Sequence, residues 1–383
     1  MIYFDNSSTS HPKAPGVPEA VREILERGCY NINRGGYAGA YEVSSLVFDA
    51  REKVAEIFGC PSGRQVVFTG GVTMSINIAL KGLLRPGDRV VTTQMEHNAV
   101  MRPLAQLQAQ GVVVDIARCG PDGRLDLADM ESKISGRTRL VAMTHASNVC
   151  GVVLPIREVG EMCRERGAML LVDSAQTAGA LPISMQRDNI DILTFAGHKG
   201  LLAAQGLGGL VLSQKIADEM IPLVAGGTGS YSHLSDMPSE LPDRLEAGTL
   251  NLPGIAALSV ALDYIKKIGI AAIYGREMSL LSRLTDGLRD IPHVRVVGPE
   301  NLRDKCAIAA LDFPGMDNAS VAATLDDEHG IMTRCGLHCA PYAHKALGTF
   351  PGGVVRCSLG HQNTEAEVDA LLSALCALRS ASG

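Results

Sequence analysis

Apolar positions along the chain fall into short runs that alternate with amphipathic stretches. Val17, Val21, Ile24 and Leu25 recur at helical spacing, so residues 17–27 read as a helix, and the same period returns over 43–58. Residues 65–69, 89–93, 112–116, 140–143, 169–172 and 191–195 are apolar runs of strand length, most of them separated by helical patterns. This alternation predicts an α/β fold, a largely parallel sheet with helices on both faces. Ligands of such sheets bind beyond the carboxyl ends of the strands. Farther on, a long apolar helix over 255–268 leads to a helix at 271–288, strands at 294–297 and 307–312, and helices at 320–325 and 365–378. With 383 residues the chain exceeds one ordinary core. The pattern divides it into a large domain (16–253), a smaller α+β domain (254–383), and an N-terminal segment (1–15) associated with the small domain and the site.

Composition narrows the function classes. Charged residues make up 20% and the net charge is −6, so no basic footprint for nucleic acid is present. No apolar run is long enough to span a bilayer, and residues 1–6 lack the basic and apolar regions of a signal peptide. The ten cysteines have neither paired nor metal-ligand spacing. That usage fits a reducing cytoplasm, with no metal site.

The chemistry gathers at strand ends. Run 191–195 ends at Ala196-Gly197, and His198-Lys199-Gly200 follows where the chain must turn. A lysine at the tip of an inner strand is poorly hydrated, which lowers its proton affinity and makes a nucleophilic amine. An isolated Gly-His-Lys would read as a surface turn. Run 65–69 is followed by Gly70-Gly71, then by Val72 and Thr73 at a helix start, a place where backbone N–H groups can hold a phosphate. Alone, it reads equally as a connection capped by Thr73. Its spacing matches neither the P-loop nor the dinucleotide fingerprint. His97, Asn148, Asp173 with Gln176, and Lys199 stand at the ends of other strands. The irregular polar stretch 31–37 is an active-site loop candidate.

These residues resemble the fold-type I enzymes that use pyridoxal 5'-phosphate, specifically the class V aminotransferase family, from Asp5-Asn6 to Asn363-Thr364-Glu365. The resemblance implies that the large domain binds this cofactor. Lys199 would bond it covalently, His97 stack on its ring and Asp173 pair with its ring nitrogen. Gln176 and Asn148 would approach its hydroxyl, and Gly71, Val72, Thr73 and His198 its phosphate. Val72 and Ala196 replace hydroxyl residues common in relatives, which implies fewer phosphate contacts. Thr249, in Glu246-Ala247-Gly248-Thr249, is expected to reach the phosphate of the other subunit of a homodimer.

In the small domain, Arg334-Cys335-Gly336-Leu337-His338-Cys339-Ala340-Pro341 is similar to the cysteine loop of cysteine desulfurases, in the branch of Suf-type enzymes and selenocysteine lyases with a short loop. Cys339 is then the sulfur acceptor, with Arg334 and His338 favouring its thiolate. Cys335 and Cys357 read as structural, and Cys163 and Cys376 as buried on helix faces. Arg356 corresponds to the arginine that binds the substrate carboxylate, where a planar fork suits two-point contact. Asn33 and Arg34 are expected to border substrate or partner subunit. The implied activity converts L-cysteine to L-alanine, leaving a persulfide on Cys339 for an acceptor protein. Selenocysteine lyase (acting on L-selenocysteine), another C–S lyase, a class V transaminase and a non-catalytic cofactor-binding scaffold are the alternatives.

Overall fold

The computed structural model describes residues 1–32 and 35–378. Asn33 and Arg34 lie outside the described residues. In chain order the strands are β1 (Ile2–Tyr3), β2 (Val66–Thr69), β3 (Arg89–Thr93), β4 (Val113–Ala117), β5 (Thr138–Thr144), β6 (Met169–Asp173), β7 (Ile192–Ala196) and β8 (Gly208–Leu212). They continue as β9 (Arg295–Val297), β10 (Ile308–Asp312), β11 (Ile331–Met332), β12 (Arg334–Gly336) and β13 (Val354–Ser358). A seven-stranded sheet runs β2-β8-β7-β6-β5-β3-β4, and a four-stranded sheet runs β12-β13-β10-β9. Strands β7, β6, β5, β3 and β4 are mutually parallel, while β8 runs antiparallel to both of its neighbours. The smaller sheet is wholly antiparallel. The α/β reading of the sequence holds, with a mostly parallel large sheet and a separate C-terminal sheet.

The inner strands are buried along their whole length because helices cover both faces: every residue of β7 and β8 is buried. Among the described residues, no helix is long and apolar enough to cross a membrane.

Two boundaries differ from the sequence pattern for local reasons. The helix expected over 320–325 spans Asn318–His329, since the Asp317 side chain accepts the Ser320 N–H at its start and Gly330 ends it in the left-handed conformation. The apolar helix Leu252–Ile268 packs against Val17–Arg27 and Ala38–Ile57 and buries Ile255, Leu258 and Leu262 in the large-domain core. The helix expected to open the small domain thus packs on helices of the large one.

The N-terminal segment joins both halves. β1 pairs in parallel with β11, Asp5 bridges to Ser358, and the Ser10 N–H donates to the His198 carbonyl at 2.9 Å. Residues 1–10 therefore run from the small domain onto the turn that carries Lys199.

Candidate active site

Four neighbouring parallel strands deliver the central side chains. His97 follows β3, Asn148 follows β5, Asp173 ends β6 and Lys199 follows β7; these strands are consecutive in the sheet and point the same way. Register fixes their alignment, with Thr144 opposite Asp173 and Asp173 opposite Thr194. The turn after Lys199 is tight. A Cβ on Gly200 would sit 2.5 Å from the Ala178 carbonyl oxygen, so only glycine fits there.

Burial sets the protonation of this group. Lys199 is pushed down to about 8 by burial, with Asp173 opposing and Arg356 and Arg334 adding to the effect. A sizeable fraction of neutral amine thus exists near neutral pH, as a nucleophile requires. Asp173 is buried, and burial pushes its carboxyl up while the Ala175 N–H, 2.9 Å from Oδ1, and Lys199 hold it down. Burial, then Lys199, pushes His97 down to about 4, and its Nδ1 accepts the Ala99 N–H at 3.0 Å. His97 is thereby a neutral ring pinned at the start of helix Asn98–Ala109.

The remaining candidates take graded places. Asn148 donates from Nδ2 to the His338 carbonyl at 2.7 Å, while its buried Oδ1 has no partner among the described residues. Gln176 Nε2 donates to the Ser7 carbonyl at 3.2 Å. His198 is pushed down to about 4 by burial and then Lys199, and its buried Nδ1 lacks a partner. Gly71, with φ 146°, is the N-cap of helix Val72–Leu83. Thr73 sits inside the first turn with its side chain exposed, so it is not the cap; the Val72 and Thr73 amides carry the positive end of the helix.

Thr249 does not join this group within one protomer. It lines a cavity of about 340 Å³ with Thr69, Gly70 and Met74, and one of about 790 Å³ with Tyr37, Phe48 and Asp243. Lys199 lines neither.

Arg356 is 2% exposed and its guanidinium is already gripped: Nη2 donates to Asp5 Oδ1 and to Ser8 Oγ, both at 2.7 Å, and Nη1 to the Asn148 carbonyl at 2.9 Å. Its Nε is buried without a partner. Arg334 stands half-exposed beside it, 2.8 Å from Ser8 Oγ and 3.5 Å from Asp5. Cys339 is exposed, and its carbonyl accepts the Asn98 N–H at 2.7 Å. This bond seats the cysteine turn on the helix that begins beside His97.

Two expectations, one about the cysteine loop and one about Cys376, need correction. Burial pushes His338 down to about 3, with Arg356 adding to the effect, so it brings no positive charge to Cys339 at neutral pH. Cys376 is exposed, because the apolar face of helix Glu365–Ala377 turns its other residues inward. Cys163 and Cys357 are buried, each pushed up to about 12, and Cys335 is raised by burial as well.

Asp5, Ser8, Lys13 and Glu96 escaped the sequence reading. Lys13 Nζ donates to the His198 carbonyl at 3.0 Å, and burial pushes it down to about 8. The density of polar residues over 5–10 was the available signal for Asp5 and Ser8. Glu96 offered none, since a glutamate three residues past a strand is ordinarily solvated.

The model of the family "Aminotransferase class-V" matches residues 2–371. A probable cysteine desulfurase of Pyrococcus abyssi is 35% identical over 98% of this chain and 93% of its own length. A cysteine desulfurase of Haloferax volcanii is 32% identical over 99% and 89%. Among solved structures, the apo cysteine desulfurase of Thermococcus onnurineus superposes with a TM-score of 0.91 at 33% identity, covering 98% of this chain and 94% of that one. With a family match over almost the whole length and strand ends arranged around a desolvated lysine, the chain belongs to the class V aminotransferase family.

Proposed function

We infer that this protein is a cysteine desulfurase, converting L-cysteine to L-alanine and taking up the sulfur on Cys339. The observation that carries this reading is the placement of one exposed cysteine, Cys339, against the wall of the Lys199 site through the Asn98–Cys339 hydrogen bond. A transaminase needs no thiol there.

The residues present fit pyridoxal 5'-phosphate, on which this family depends. Among the described residues, Asp173 is a buried carboxyl facing one N–H donor and Lys199, a setting that favours a cationic ring N–H as partner. Asn148 Oδ1 and His198 Nδ1 are buried polar atoms without protein partners, suited to the polar groups of such a ligand. Lys199 would hold the cofactor covalently, His97 would cover its ring, and Gln176 would approach its hydroxyl. Gly71, Val72, Thr73 and His198 would hold its phosphate. Once bound, the cofactor supplies a carbonyl for the substrate amine and a ring that takes up the electron pair left at Cα.

The chain's own residues supply the rest. Arg356 orients the substrate carboxylate through its fork, with Asp5 and Ser8 fixing the guanidinium plane. Lys199 Nζ removes the Cα proton, and its lowered proton affinity makes it a base near neutral pH. Asp173 keeps its ring partner protonated. The Cys339 thiolate then attacks the substrate sulfur: the Sγ–S bond forms, the Cβ–S bond breaks with its electron pair left on the carbon side, Cβ gains a proton, and Lys199 returns a proton to Cα to give alanine. Arg334 is the cation offered to Cys339.

The turn joining β12 to the helix at Pro341 is only residues 337–340, which supports a place in the short-loop, Suf-type group. Exposed Tyr37, Phe48 and Met74 around the Thr249 cavities support a homodimer in which Thr249 serves the partner's phosphate.

Mixing the enzyme with L-cysteine, trapping with an alkylating reagent and mapping the digest by mass spectrometry tests the assignment. The extra sulfur should appear first on Cys339, and Cys339→Ala should stop alanine formation. Alanine accumulating with no labelled cysteine would leave a lyase that releases sulfur at the zero-valent level without a covalent protein intermediate. L-selenocysteine run in parallel measures substrate preference.

A further inference from the structure

Residues 337–340 form a tight turn closed by the Ala340 N–H donating to the Leu337 carbonyl at 2.8 Å. Its central residues, His338 (φ 48°) and Cys339 (φ 55°), both have left-handed backbone. That is the primed turn ordinarily made by Asn-Gly, and a cysteine side chain is disfavoured in it. Such a conformation persists only where its surroundings over-determine it.

From the large domain, Asn148 Nδ2 bonds the His338 carbonyl and the Asn98 N–H bonds the Cys339 carbonyl, each at 2.7 Å. The other side is held within the small domain. His338 Nε2 lies 3.2 Å from the Arg334 carbonyl, and the His338 ring stacks on His344 with centroids 5.8 Å apart and planes inclined by 17°. His344 is fully buried, and its Nδ1 shares a 2.7 Å hydrogen bond with the Thr349 hydroxyl. The Thr349 N–H donates to the His344 carbonyl at 2.9 Å, and the Gly353 N–H to the Thr349 carbonyl at 2.7 Å. Gly353 presses on β12, where a Cβ would lie 2.4 Å from Gly336. Burial pushes His344 down to about 4, so the stacked rings are both neutral near pH 7 and do not repel.

We propose that His344, locked by Thr349, is a positioning residue that backs His338 and holds the His338–Cys339 turn left-handed, so that the Cys339 thiol faces outward for sulfur transfer. The proposal rests on Cys339 being the sulfur acceptor, and it assigns that loop's shape to a histidine and a threonine neither of which faces the reacting atoms.

The test separates two phases in the cofactor-loaded enzyme: the change in cofactor absorbance on adding L-cysteine, and persulfide formation on Cys339 by rapid quench. Thr349→Val keeps the volume and removes the hydroxyl. It should slow persulfide formation roughly five- to tenfold, the cost of one buried hydrogen bond, while leaving the absorbance phase and KM within about twofold. Thr349→Ser should restore the rate. Without substrate, alkylation of Cys339 by iodoacetamide should change in Thr349→Val and return in Thr349→Ser. His338→Asn, which tolerates left-handed backbone unaided, should shrink the effect of Thr349→Val in a double-mutant cycle. Equal slowing of both phases would mean a merely structural role and would overturn the proposal, as would unchanged persulfide formation and alkylation in Thr349→Val. A parent enzyme that makes alanine without persulfide on Cys339 overturns the acceptor assignment itself, a result distinct from either.

Discussion

Glu96 sits immediately before His97, fully buried. Its Oε1 accepts from the Thr93 hydroxyl at 2.6 Å and the Thr144 N–H at 3.0 Å, whereas Oε2 is buried with no partner among the described residues. Burial pushes its carboxyl from the ordinary 4.5 up to about 8; nearby Asp173 adds to this, and the two hydrogen bonds oppose it. In the folded protein Glu96 is therefore neutral at pH 7, while in the unfolded chain it ionises near 4.5. The unfolded state then binds fewer protons than the folded one between these values. Stability must fall as pH rises from about 4.5 to about 8 and level off above. At about 1.4 kcal/mol per pH unit the full loss is roughly 5 kcal/mol, an upper limit that water entry or local relaxation would reduce to a few kcal/mol.

Glu96→Gln has nothing to ionise and should escape this decline. Urea midpoints for parent and variant, taken from pH 5 to 9 at fixed protein concentration with saturating cofactor, give the comparison. The curves should converge or cross, with the parent at least as stable near pH 5 and the variant more stable by a few kcal/mol above pH 8. Parallel curves over that range would refute the reasoning, because they would show Glu96 titrating alike in both states.

Lys199→Ala should leave a folded protein on which borohydride fixes no cofactor, read by the mass of the treated protein. Asp173→Asn should retain cofactor through gel filtration yet lose about 10²- to 10³-fold in turnover, since a neutral amide no longer secures the ring proton; parental activity would move the pyridine contact elsewhere. Glu246→Ala should cost about 3–5 kcal/mol in a denaturant titration, because it strands buried Arg51, now held by two bonds of 2.8 and 2.6 Å to that carboxylate. If Glu246→Ala unfolds at the parental midpoint, the buried pair contributes nothing.

Much of the frame was legible because it depends on local pattern. Periods of 2 and 3.6 mark the strands and helices, and polar residues at successive strand ends mark His97, Asn148, Asp173 and Lys199 as one group. A sequence lists residues without their surroundings, and what it left open depends on contacts between distant segments. Asp5 and Arg356 stand 351 positions apart, yet their contact determines how the candidate carboxylate-binding fork is held. His338 read as a cationic helper for Cys339, but burial beside Arg356 and His344 leaves it neutral. The apolar face of helix Leu252–Ile268 is buried against Val17–Arg27, a packing that periodicity alone does not assign. The left-handed turn at His338–Cys339 runs against the preferences of both residues, because bonds from Asn148 and Asn98 and a stacked His344 outweigh them. Periodicity is written into neighbours along the chain, whereas charge state, strain and exposure belong to whatever the fold packs around a group, and only the tertiary structure decides that.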